Sequence, residues 1–155
     1  MGFLVEPLTV FFGGFMYTLK TEASFDSAHF LSGYEGKCAN IHGHRWLVEI
    51  EVGSQDLNNE GNTRGMIVDF SDLKKDLKKL ADNFDHSLII EKGSLKKKTI
   101  EVLEDEKFRI IQVDFRPTAE NFAKYFYDEI AKKGYKVFKT TVYETPKNCA
   151  SYYEG

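Results

Sequence analysis

From residue 17 the chain alternates strictly. Tyr17, Leu19, Thr21, Ala23 and Phe25 fall on one side, and Thr18, Lys20, Glu22, Ser24 and Asp26 on the other. Period two over this length predicts a half-buried β-strand, because successive side chains of extended backbone leave on opposite faces. A second run sets Trp46, Val48, Ile50 and Val52 against Leu47, Glu49 and Glu51. Gly33 and Gly36 mark the loop between the two runs, and the Gly- and Asn-rich stretch 53–65 marks the next turn. Then the period changes. Leu73, Leu77, Leu80 and Phe84 recur at helical spacing with lysines opposite, predicting a helix over 71–84 with Ser71 as its N-cap.

A second helix is signalled by Thr118 after Pro117, with Ala119, Phe122, Ala123, Phe126 and Ile130 as its apolar face. Lys132 and Lys133 sit where its last turn should be, and Gly134 stops it. Residues 136–144 and 149–153 read as two closing strands. Residues 108–115 read as a short strand, and lysine-rich 92–98 as a solvated loop. The order predicts a single α+β domain built on an antiparallel sheet. It covers 16–155; residues 1–15 are apolar but interrupted by Glu6 and Pro7, and are read as an N-terminal extension of unknown role.

Composition narrows the class. With 155 residues, 42% of them hydrophobic and 29% charged, the chain can bury a core without disulfides. A net charge of −3 gives no reason to expect nucleic acid or membrane as partner. The lysines at 74, 75, 78 and 79 fit a solvated helix face. Residues 1–15 lack a basic leader and are too short to span a bilayer. Cys38 and Cys149 are expected as free thiols in a cytoplasmic protein.

The candidate chemistry lies in the histidines. There are four, and His29, His42 and His44 fall within sixteen residues, with Cys38 among them. In extended backbone His42 and His44 project to one face, where two imidazoles can hold one ion. Gly43 between them is expected to spare a crowded opposite face. His29 ends the first strand and can supply a third nitrogen if the two strands pair. Three nitrogens with an open fourth position suit catalytic zinc, while copper, nickel and iron remain chemically admissible. Cys38, taken alone, is more often a small buried residue than a base. Asp85-His86 is a sequence neighbour pair past the first helix, and Glu144 a strand acid.

Taken together, several motifs resemble the 6-pyruvoyltetrahydropterin and 6-carboxytetrahydropterin synthase family. They are Phe25-Asp26-Ser27-Ala28-His29, Cys38 followed by His42-Gly43-His44, Asp69-Phe70, and Phe84-Asp85-His86. Pro117-Thr118 with Glu120-Asn121 and Glu144-Thr145 with Ala150 and Tyr152 complete the set, in order over residues 17–155. The resemblance implies a T-fold: a four-stranded antiparallel sheet with two helices on one face, subunits joining into a barrel and stacking as a hexamer. It implies zinc on His29, His42 and His44, with Cys38 as general base. It further implies Asp85 and His86, from a neighbouring subunit, as activating relay, and Glu144 as the pterin anchor. The implied substrate is 7,8-dihydroneopterin triphosphate; Lys37 and Arg45 are the basic residues flanking the motif, and neither is assigned to its phosphates.

Within the family the pattern is closest to the 6-carboxytetrahydropterin synthase of queuosine biosynthesis, which loses acetaldehyde and triphosphate. The pyruvoyl-forming enzyme, which loses triphosphate alone, is the alternative. Cys38 argues against the folate-linked branch, which carries Glu at that position. A pterin- or zinc-binding oligomer without turnover is the alternative of another class.

Overall fold

The computed structural model describes residues 17–155; Met16 and the expected extension 1–15 lie outside the described residues. The first alternation becomes strand β1 (Tyr17–His29) and the second β2 (His42–Ser54). They pair antiparallel along their whole lengths, from Tyr17 opposite Ser54 to His29 opposite His42. β5 (Val137–Thr145) pairs antiparallel with β2, and β6 (Asn148–Tyr152) with β5. All four are read as strands in the sequence, the first two from their alternation, and they lie side by side.

The sheet is nevertheless larger than the four-stranded antiparallel one expected. β3 (Ser87–Glu91) pairs parallel with Ser27, Ala28 and His29 of β1, and β4 (Ile110–Val113) pairs parallel with β3. The result is a mixed six-stranded sheet in the order β4-β3-β1-β2-β5-β6. Parallel neighbours need a crossover, and a third helix, α2 (Lys97–Asp105), lies in the one between β3 and β4. The solvated loop expected at 92–98 therefore ends in a helix. α2 escapes sequence reading for physical reasons. It buries no residue, has no side-chain cap, and starts on Lys97 and Lys98, which oppose the helix dipole.

The other two helices, α1 (Phe70–Asp82) and α3 (Ala119–Ala131), pack on one face of the sheet. α1 presents Leu73, Leu77, Leu80 and Ala81; α3 presents Ala119, Phe122, Ala123, Phe126 and Ile130. They meet Phe25, Trp46, Val48, Ile50 and Val52 in one core. Burying each large apolar side chain contributes about 1.5–3 kcal/mol. Thr118 caps α3 as expected, but α1 is capped by Asp69, whose carboxylate accepts from the Ser71 N–H at 2.7 Å. Ser71 is thus the donor rather than the cap. No helix among the described residues is long and apolar enough to cross a membrane.

Candidate metal centre

The core-facing row of the hairpin changes character toward one end. On β1 it runs Phe25, Ser27, His29; on β2 it runs Trp46, His44, His42, each pair in register. The side of the sheet that buries the aromatic core thus delivers three imidazoles side by side. A slip of one residue would send His42 and His44 to the other face. β5, beside β2, brings Glu144 to the same place, its carboxylate 3.2 Å from His44 Nε2. One ligand atom from each of His29, His42, His44 and Glu144 lies within 4.8 Å of all the others.

Two backbone carbonyls orient the rings. His29 Nδ1–H donates to Pro117 O at 2.7 Å, and His42 Nδ1–H donates to Asn40 O at 2.7 Å. Each bond fixes the tautomer and leaves Nε2 with a bare lone pair, as metal-ligating histidines require. His29 is 1% exposed, and its Nε2 is buried without a hydrogen-bond partner. His44 Nε2 is likewise buried, touching Glu144 in an ion-pair contact without hydrogen-bond geometry. Leaving a buried acceptor unsatisfied costs about 1–3 kcal/mol. Burial pushes the His29 pKa down from 6.5 to about 4, against the raising effect of the Pro117 contact, with His42 and His44 lowering it further. Burial lowers His44 as well, while Glu144 pulls the other way. Neutral imidazoles with free lone pairs are the metal-binding form. The donor set fits a transition-metal ion, and Trp46 closes its inner side, 5.0 Å ring to ring from His29.

Gly43 does not sit on a crowded face. It is exposed, and a Cβ there would meet Ser27 O at an ordinary 3.5 Å.

Cys38, Asp85 and His86 stand outside the four-residue cluster. Cys38 is a half-buried free thiol in a short 3-10 turn, Lys37–Ala39. Asp85 and His86 form a tight pair, the His86 Nδ1–H donating to Asp85 Oδ2 at 2.7 Å. Asp85 Oδ1 accepts from the Asp26 N–H at 2.8 Å; this bond first, and His86 second, hold its carboxyl below the usual range. His86 faces a cavity of 660 Å³ whose lining also takes in Asp26, Ser27, Ala28, Gly43, His44 and Arg45.

Arg45, one of the two basic residues flanking the motif, is committed to Asp26 through two bonds at 2.9 and 2.8 Å. The orienting carbonyls of Asn40 and Pro117 carry no sequence signal, since any residue offers a carbonyl.

Among known proteins, a family model described as 6-pyruvoyl tetrahydropterin synthase matches residues 18–155. A 6-carboxy-5,6,7,8-tetrahydropterin synthase of Haemophilus influenzae is 34% identical over 142 residues, covering 90% of this chain and 100% of the relative. Two solved structures share the fold. An uncharacterized protein from Wolinella succinogenes superposes with a TM-score of 0.69 at 23% identity, covering 90% of this chain and 98% of that one. A 6-pyruvoyl tetrahydropterin synthase from Caenorhabditis elegans does so with a TM-score of 0.63 at 25% identity, covering 90% and 96%.

Proposed function

Since the chain belongs to the 6-pyruvoyl tetrahydropterin synthase family, we propose that it is a zinc-dependent lyase acting on 7,8-dihydroneopterin triphosphate. One water is consumed, and the product is 6-carboxy-5,6,7,8-tetrahydropterin, released with acetaldehyde and triphosphate, a step of queuosine biosynthesis. The observation that carries the reading is the convergence of His29, His42, His44 and Glu144 on one point. The relative matched along its whole length bears the carboxy-forming name, which favours that product over the pyruvoyl one.

Held by His29, His42 and His44, zinc supplies Lewis acidity to the hydroxyls of the substrate's three-carbon side chain and to the neighbouring C–H. Glu144 is assigned to the pterin, because three nitrogens already complete the protein's share of an open catalytic site. Its carboxylate accepts paired hydrogen bonds from the 2-amino group and the adjacent ring N–H. Cys38, as thiolate, takes the side-chain proton, and His86 relays it through Nε2. Asp85 holds His86 in the required tautomer. A general base of this kind contributes about 10²–10⁴-fold.

Asp85 and His86 are assigned to the active site of a neighbouring subunit, a reading supported by their standing outside the four-residue cluster of their own chain. β3 pairs only with the last residues of β1, leaving the earlier part of that edge for another chain. We assign the assembly as a barrel of three, stacked to a hexamer, in the cytoplasm, where free Cys38 and Cys149 stay reduced.

The test is product analysis with zinc-loaded protein and 7,8-dihydroneopterin triphosphate. Triphosphate with acetaldehyde supports the assignment. Triphosphate with a pyruvoyl pterin moves the chain to the other branch. Binding without turnover, unchanged in Cys38→Ala, would sink the enzymatic reading.

A further inference from the structure

His86 is one of only two non-glycine residues among those described with positive φ, at +51°. Such a backbone persists only where its surroundings over-determine it. On one side the surroundings are β1: Asp26 gives its N–H to Asp85 Oδ1 at 2.8 Å and its carbonyl to the His86 N–H at 2.7 Å. The other side is Arg109, the residue before β4. Its Nη1 donates to Asp85 O at 2.5 Å and its Nη2 to Asn83 O at 2.8 Å. Its own carbonyl accepts from the Leu88 N–H at 2.9 Å. Arg109 therefore grips the turn before and after His86, and these bonds fall on main-chain groups rather than on the imidazole.

We propose that Arg109 is a positioning residue, clamping the 83–88 turn so that Asp85 and His86 hold the geometry their relay requires. The assignment rests on the acid–base role given to His86 above. It also accounts for the segment between β3 and α3, since the parallel pair β3–β4 carries the guanidinium to the turn. A lysine in place of Arg109 keeps the charge but not the planar fork that spans two carbonyls.

The test uses the zinc-loaded protein with Arg109→Ala and Arg109→Lys. Steady-state kinetics are read beside nitrogen-15 spectra of histidine-labelled protein. Only four histidines are present, and the His86 signal is identified by its loss in His86→Asn. The expected wild-type signature is a single tautomer protonated at Nδ1. In Arg109→Ala this signature gives way to mixed tautomers or exchange broadening, and kcat falls about 10- to 100-fold. KM stays within about twofold, because the lost contact is not to substrate. Arg109→Lys recovers part of both readouts.

Unchanged kcat with an unchanged signature overturns the proposal. So does a rise in KM with kcat intact, which would make Arg109 a substrate contact. Should wild-type protein fail to turn over the pterin, the reaction reading falls, and the His86 signature alone decides. Unaltered in the variants, it refutes the clamp; altered, it supports it. If Arg109→Ala does not fold, Arg109→Lys is read by the same criteria.

Discussion

His42 and His44 point the same way only because one residue separates them in a strand, and each ring then needs its own anchor. His29 and His42 have theirs in the carbonyls of Pro117 and Asn40. His42→Ala should abolish stoichiometric zinc binding and activity together, as metal analysis and turnover would show. Bound metal at 100 times its Kd stabilises by about 2.7 kcal/mol. Chelation should therefore lower the Tm of the wild type and leave that of His42→Ala unmoved. For the metal-free protein acid has a definite sign. The His29 pKa is about 4 when folded against 6.5 in the open chain, so between these values only the unfolded state takes up the proton. The associated stability, up to about 3 kcal/mol, is complete above pH 6.5 and lost as pH falls toward 4. Urea titrations of apo-protein at pH 7 and pH 4.5 check it, and equal midpoints would contradict it. The three histidines and their common face were legible from spacing; the orienting carbonyls were not, because main-chain groups are the same at every position. Glu144→Gln should raise KM while zinc stays bound, and loss of zinc instead would make Glu144 a ligand.

At the scale of elements, α3 is held by its aromatic face. Phe122 is fully buried against Phe25, Trp46, Phe84 and Phe115. Phe122→Ala should cost about 3–5 kcal/mol, read from denaturant unfolding. Asp69→Ala, which removes the α1 cap, should cost about 1 kcal/mol. Those two helices and the paired strands β1 and β2 were readable because each buries one face more than the other, imprinting a period on the chain. β3 and α2 were not, for opposite reasons. β3 buries Ser87, Ile89 and Ile90, a short run whose burial breaks strict alternation. α2 buries nothing and so imposes no strong constraint on its residues. β3 and α2 are therefore the parts of the fold that sequence periodicity does not announce, and β3, paired with the short strand read at 108–115, brings Arg109 to Asp85.

For the molecule as a whole, the Asp85–His86 pair stands outside the metal cluster of its own chain. Under the proposed assembly each active site draws on two chains. Cys38→Ala and His86→Asn subunits, each inactive alone, should regain activity when unfolded and reassembled together. Random mixing in equal amounts restores about a quarter of the wild-type sites. A mixture as dead as its components would place both residues in sites of one chain. That assembly would have a further consequence for the living cell. A chain carrying parts of two different sites would have no activity to lose by mutation or gain by synthesis on its own. Its turnover per molecule would then rise with its own abundance, and at low copy number the protein would be a store of unassembled parts, switched on by meeting itself.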